Sequence, residues 1–354
     1  MYPRVEITLD KLRHNAKRLI GLCNKNGIKV AAVTKVFCGM PEIAKILVES
    51  GASVLADSRI ENLKRMQSIE VPKLLLRLPM ISQANQVVEF ADISLNSELE
   101  TIKSLSQMAI DKLKVHNIIL MIDLGDLREG IIDEEEVLST VREILKLEGI
   151  NLLGIGTNLT CYGGVIPKQE NLRHLVSLRE KIEKEFTLKL EVVSGGNSSS
   201  LYLLEGEVGI PKGINQLRLG ESIVLGRETA YGDIIHDTYE DCFRLVVEII
   251  EIKHKPSMPI GEIGMDAFGN KPVFQDKGIR KRAICAVGKQ DVSIENIVPE
   301  DKKITIFGGS SDHLIIDVTD SLKNYKVGSK VYFKLNYGGI LSTSTSEYVN
   351  KVFI

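Results

Sequence analysis

The chain carries almost no net charge, with 45 Lys and Arg against 47 Asp and Glu in 354 residues. A formal charge of -2 leaves no basic footprint for nucleic acid and no polybasic patch for an anionic membrane, which favours small substrates over polymers. No apolar stretch is long enough to span a bilayer, and the opening MYPRVEITLDKLRHN lacks the apolar core of a signal peptide. A cytoplasmic protein is expected. The five cysteines, Cys23, Cys38, Cys161, Cys242 and Cys285, lie far apart with no CxxC pair, which argues against a zinc site and against a disulfide framework. Reduced, mostly buried thiols and no metal are expected, with Cys38 as a filler near Lys35. A GxGxxG turn is also missing, since the segment after the first strand candidate reads VFCGMPE. That excludes a doubly wound dinucleotide-binding domain.

What the chain does have is alternation. Strand-like runs occur at KVAAVTK (29–35), SVLADS (53–58), KLLLRLP (73–79), ADISLNS (91–97), NIILMIDLG (117–125), INLLGIGTNL (150–159), LEVVSGGN (190–197) and QLRLGESIVLG (216–226). Several are apolar on both faces, as parallel strands covered by helices must be. Between them apolar residues recur at helical spacing: Leu99, Ile102, Leu105, Ala109 and Leu113, then Val137, Val141, Ile144 and Leu145, then Leu172, Leu175, Leu178, Ile182 and Phe186. Eight such units favour a closed (β/α)8 barrel over an open sheet. Beyond about residue 235 the texture changes to CFRLVVEIIEI, RAICAVG, KITIFG, HLIIDVT and KVYFKL, with no strong helical stripe between them. The expected architecture is an α/β barrel over 11–230 followed by a smaller, mainly antiparallel β domain over 231–354. The strand-like RVEITL within 1–10 is expected to join that second domain.

In a parallel barrel the active-site face lies at the C-terminal ends of the strands. Lys35, Asp57 with Ser58, Arg77, Asn96, Asp123 with Arg128, Thr157 with Asn158, Asn197 with Ser198, and Arg218 all fall there. A partly desolvated amine at Lys35 is suited to Schiff-base chemistry. The loop SGGNSSS offers Ser198 and free backbone N–H groups at the start of a short helix, an arrangement suited to phosphate or to a plain serine cap. RLGES adds Gly220, where the backbone can approach a ligand closely. An amine together with a phosphate site suggests pyridoxal phosphate.

With these motifs in order, the chain resembles the alanine racemase family of fold-type III, pyridoxal-phosphate-dependent enzymes, and most of all its alanine/ornithine racemase branch. AVTK (32–35) resembles the segment bearing the cofactor lysine, and MIDLGDLREG (121–130) the family's D-x-G-x-x-R-x-G stretch. GIGTNL, GGNSSS and NQLRLGES resemble the ring-facing strand, the phosphate loop and the arginine strand. RAICAVGKQD and GGSSDHLIIDVTD resemble the segments that reach a partner subunit's site. The resemblance implies Lys35 as the Schiff-base residue, with Ser198 and the amides of Gly220 and Glu221 on the phosphate. It also implies Arg218 opposite the pyridine nitrogen and Arg128 near the ring. Asn158 and Asn197 would then be close to the cofactor.

Departures from the family pattern are equally informative. Lys289 stands where the second, tyrosine base is usual, so Lys289, Asp291, Asp312 or His313 is implied in its place. Asn158 replaces the ring-facing histidine. Gly39 replaces a phosphate-binding tyrosine, and Tyr348 is the candidate for another. The implied reaction is amino-acid racemisation in a homodimer with shared sites, acting on ornithine or lysine first and alanine second. Glu262 and Asp266 are candidate partners for a distal amine. The alternatives are a decarboxylase of the same fold type, although no Cys-Asp pair is present, and a cofactor-carrying homeostasis protein, which would consist of a barrel alone.

Overall fold

The computed structural model describes the chain apart from Glu207, Asp266, Ala267, Asn270 and Pro272. It divides into two compact units, one formed by Leu9–Glu240 and the other by Met1–Thr8 with Asp241–Ile354.

The larger unit is a closed barrel of eight parallel strands in sequence order. They are β2 (Lys29–Val33), β3 (Val54–Asp57), β4 (Lys73–Leu75), β5 (Ile93–Asn96), β6 (His116–Met121), β7 (Ile150–Gly156), β8 (Val192–Asn197) and β9 (Gln216–Leu219). β9 returns to pair with β2 through Lys29↔Gln216 to Ala32↔Leu219, which closes the ring. The main helices between them are α1 (Leu9–Lys25), α2 (Pro41–Glu49), α3 (Ile60–Arg65), α4 (Ala84–Phe90), α5 (Leu99–Asp111), α6 (Glu134–Ile144) and α7 (Gln169–Phe186), followed by the short α8 (Leu201–Glu205) and α9 (Glu221–Leu225). Strand alternation divides the core in two. Ala31, Val33, Ala56, Leu74, Leu95, Ile119 and Met121 fill the barrel, whereas Ile118, Leu120 and Ile155 meet Ile102, Val141 and Leu178 of the helices.

Four boundaries differ from the sequence pattern. Leu113 is 96% exposed with φ +55°, because α5 has already ended at Asp111, and Leu145 is exposed just past the end of α6. The run 216–226 is not one strand: it stops at Leu219, and ESIVL coils into α9, capped by Gly226 in the left-handed region. Residues 231–240 group with the barrel. Asn15 of α1 accepts from Tyr239 N at 2.8 Å and donates to its carbonyl at 2.7 Å, while Thr238 Oγ1 donates to the Gly226 carbonyl.

The smaller unit is a sheet in the order β12-β15-β10-β11-β14-β13, and β1 (Arg4–Ile7) lies between β10 and β16. Here β10 is Phe243–Pro256, β11 Ile279–Cys285, β12 Ile297–Pro299, β13 Thr305–Gly309, β14 Leu314–Asp317, β15 Lys330–Leu335 and β16 Asn350–Phe353. β1 runs antiparallel to β10 and parallel to β16. A helix, α10 (Tyr337–Thr345), interrupts the strands where the sequence shows no helical stripe. Its glycines and hydroxyls hide it from a hydrophobic pattern, and Asn336 caps it by accepting from Gly339 N at 3.0 Å.

One buried titratable group on the outer barrel face makes stability pH-dependent. His116 at the start of β6 is buried, its Nε2 2.9 Å from Ser94 Oγ. Burial pushes it down to about 4 against the nearby Asp92 charge. The unfolded chain takes up a proton near 6.5 and the native state does so only near 4. Stability is therefore fully present above about 6.5 and lost as pH falls between those values, by about 3 kcal/mol at most. Denaturant titrations of the parent and of His116→Gln between pH 7 and 4 should show this slope flattened in the variant. An unchanged slope would remove His116 from the account.

Candidate active site

Lys35 opens a 3-10 turn, Lys35–Phe37, two residues past the end of β2. The turn is positioned by Thr34, whose N–H donates to the Ala56 carbonyl at 2.9 Å and whose Oγ1 donates to Asp57 Oδ2 at 2.6 Å. Lys35 is exposed rather than partly desolvated, because the turn and not the strand carries it. Asp57 and Asn96 do not join it, against the expectation that all strand-end polar groups converge. Alternation places Ala56 and Leu95 inside the barrel, so their neighbours face outward. Asp57 accepts from Thr34, Arg59 N and Asn62, and Asn96 bonds to Ser94. Arg77 bonds to Gln83.

Arg218, on β9 and only 4% exposed, donates to Ser194 Oγ at 2.5 Å and to the Thr157 carbonyl at 2.6 Å, with Asn158 Oδ1 at 3.5 Å. Burial lowers its pKa to about 10, opposed by the Glu129 carboxylate, so the guanidinium stays cationic at neutral pH. Asn197 bridges the same region by donating to Asn158 at 2.8 Å and to the Leu159 carbonyl at 2.9 Å, while its Oδ1 caps Ser199 N. Thr157 Oγ1 is buried without a hydrogen-bond partner.

Beside this lies a cluster of neutral donors. Ser198 Oγ and Ser222 Oγ are 3.0 Å apart, and the amides of Gly220 and Ser222 point at Ser198 Oγ from 3.4 and 3.3 Å. A Cβ on Gly220 would lie 2.9 Å from the Val33 Cβ, so only glycine lets β9 end this close to β2. Ser222, fully buried, was missed by the sequence reading, and only its place in RLGES marks it. Gly39 has no room for the tyrosine that the family pattern has there. Its φ is +61°, and a Cβ would touch Asn62 at 3.0 Å.

The loop 123–130 after β6 supplies Arg128 and Glu129. Asp123 accepts from Gly125 N and Leu127 N, and Asp126 accepts from four amides of the loop after β7: Thr160, Cys161, Tyr162 and Val165. Sequence reasoning assigned neither Asp126 nor Glu129. The thiol of Cys161 is exposed and accepts from Asn197 at 3.6 Å, whereas Cys38 is a part-buried neighbour of the Lys35 turn.

The remaining candidates belong to the smaller unit. Lys289 N and Gln290 N donate to the carbonyls of Ser310 and Ser311, which brings the 287–291 and 310–313 loops together. Lys289 Nζ lies 3.8 Å from the centroid of the Phe268 ring. Asp291 accepts from Gly288 N at 3.3 Å and Ser346 Oγ at 3.0 Å, whereas His313 and Tyr348 are exposed. Glu262 is exposed, and Asp266 lies outside the described residues.

A parallel barrel whose amine, enclosed guanidinium and neutral-donor cluster gather at the strands' C-terminal ends has the layout of an enzyme acting on small anionic molecules. Residues 7–228 match the model of the alanine racemase N-terminal domain, and the chain belongs to the alanine racemase family. It is 52% identical to an ornithine racemase of Acetoanaerobium sticklandii over 352 residues, 99% of either chain. A lysine racemase of Thermotoga maritima is 43% identical over 356 residues, spanning 100% of this chain and 99% of the relative. Among solved structures, an alanine racemase of Clostridium difficile 630 superposes with a TM-score of 0.77 at 19% identity, covering 99% of this chain and 95% of that one, a likeness of fold.

Proposed function

We propose that the protein is a pyridoxal-phosphate-dependent amino-acid racemase acting on ornithine, with lysine and alanine as lesser substrates. The observation that carries this reading is the 52% identity to an ornithine racemase, which runs through both units. A carrier protein made of a barrel alone does not account for the second unit.

The residues fit the cofactor. The hydroxyls of Ser198 and Ser222 and the amides of Gly220 and Ser222 are suited to its phosphate, because uncharged donors around one point accept an anion without competing countercharge, and we assign the Glu221 amide to it as well. Arg218 can only donate, so it would face the pyridine nitrogen as an acceptor. Asn158, braced by Asn197, would face the ring, and Tyr348 is assigned to the phosphate. When bound, pyridoxal phosphate supplies an electron sink for the α-carbon. Lys35 would hold it through its amine, and that amine, when free, would take or return a proton on one face of the α-carbon. We assign the opposite face to Lys289, Asp291 or His313 of a second copy, which makes the working enzyme a homodimer. The five cysteines, none of them in a disulfide among the described residues, suit a reducing, cytoplasmic compartment.

Incubation of the loaded protein with L-ornithine in deuterated water tests this reading. D-ornithine with deuterium at the α-position is expected. Carbon dioxide release without the D enantiomer would instead establish the decarboxylase, and no exchange with any amino acid would favour the carrier.

A further inference from the structure

The Glu129 carboxylate is paired with Arg128 and lies in the field of two further cations of the barrel site, Arg218 and Lys35, which come from separate segments. Its Oε2 lies 2.6 Å from Arg128 Nε and its Oε1 accepts from Arg128 Nη2 at 2.6 Å, with Asn158 Nδ2 at 3.3 Å. The Glu129 side chain is only 12% exposed against 45% for Arg128, so the acid is the buried partner and the base the exposed one. Arg218 from β9 and Lys35 from the turn after β2 also act on it electrostatically. Burial pushes the Glu129 carboxyl up, and the three cations pull against it. Of the other titratable groups here, burial pushes the Glu221 carboxyl of α9 up while Arg227 and Lys35 both pull against it, and Cys161 interacts with Arg218.

The backbone leaves Glu129 little freedom. The loop doubles back on its own start, where Asp123 N donates to the Ile131 carbonyl at 3.1 Å. Gly130, at φ +125°, packs so closely that a Cβ would lie 2.5 Å from Asp123 N. The residue before it is therefore held at the rim of the barrel.

We propose that Glu129 is a positioning residue that anchors the Arg128 guanidinium and offsets the positive charge gathered by Lys35, Arg128 and Arg218. This deepens the racemase reading and rests on it. With the carboxylate gone, the less positive protonation state of the site is favoured. Arg128 also loses its anchor.

The test is a pH titration of the absorbance of bound pyridoxal phosphate in the parent, Glu129→Gln and Glu129→Asp. The glutamine variant should shift the midpoint to lower pH by about one unit, the scale of one neighbouring charge, and lower ornithine turnover about tenfold or more. The aspartate variant should stay close to the parent. An unmoved midpoint in a folded Glu129→Gln would overturn the proposal. Should that variant not fold, Arg128→Gln decides: removal of a cation must move the midpoint upward, and no change or a downward shift rejects the charge balance. A parent that binds cofactor without racemising ornithine would sink the functional reading, while the absorbance titration still judges Glu129.

Discussion

A Lys35→Ala variant is expected to lose at least about a thousandfold in turnover while folding as stably as the parent. Lys35 is exposed and sits in a turn whose geometry is set by Thr34 and Asp57, so its truncation removes no core contact. A stability change within about 0.5 kcal/mol is expected. What the variant lacks is the amine that anchors the cofactor and handles the α-proton. Borohydride reduction of the loaded parent should place the pyridoxyl group on the peptide containing Lys35, and the variant should yield no adduct. Since a free primary amine can supply the missing chemistry, added methylamine should restore part of the activity. Full activity in Lys35→Ala, or an adduct on another lysine, would refute the assignment.

The second large effect concerns folding. Asp126 is fully buried and accepts four backbone amides of the loop that follows β7. Asp126→Ala leaves those donors without an acceptor, and about 3–5 kcal/mol of stability should be lost at neutral pH. Asp126→Asn should cost nearly as much, because its NH2 group would face N–H groups. Burial acts to raise the carboxyl, but the amides of Tyr162, Val165, Cys161 and Gly163 together hold it below its ordinary 3.8. This contribution is present above about 3.8 and lost as pH falls through the lower, folded value. Denaturant unfolding of parent and variants from pH 7 to 2 would read both effects. Parental stability in Asp126→Ala at pH 7 would show that the loop is held by other means. The acid range of Asp126 lies below that of His116, so the two are separable on one titration.

Much of the chain's character follows from local pattern. Apolar two-faced runs alternating with helical stripes leave few solutions other than a barrel, because each element must bury its apolar face on its neighbour. The order of AVTK, DLGDLREG, GGNSSS and NQLRLGES likewise identified the family that the 52% identical relative confirms. Pattern was blind where the stabilising groups are polar, as in α10, whose glycines and threonines carry no periodic apolar signal.

Tertiary structure alone decided which strand-end groups share the site. A one-residue change of position along a strand reverses the face, so Arg218 points inward to Thr157 while Asp57 and Asn96 turn to the outer shell. It alone showed that Gly39 has no space for a tyrosine, that Ser222 joins Ser198, and that the side chain of Glu129 lies in the field of Arg218 and Lys35 from distant segments. Backbone propensity and hydrophobic burial are local or additive and can be read along the chain. Close approach and charge balance depend on distances between residues far apart in sequence, which exist only once the barrel has closed.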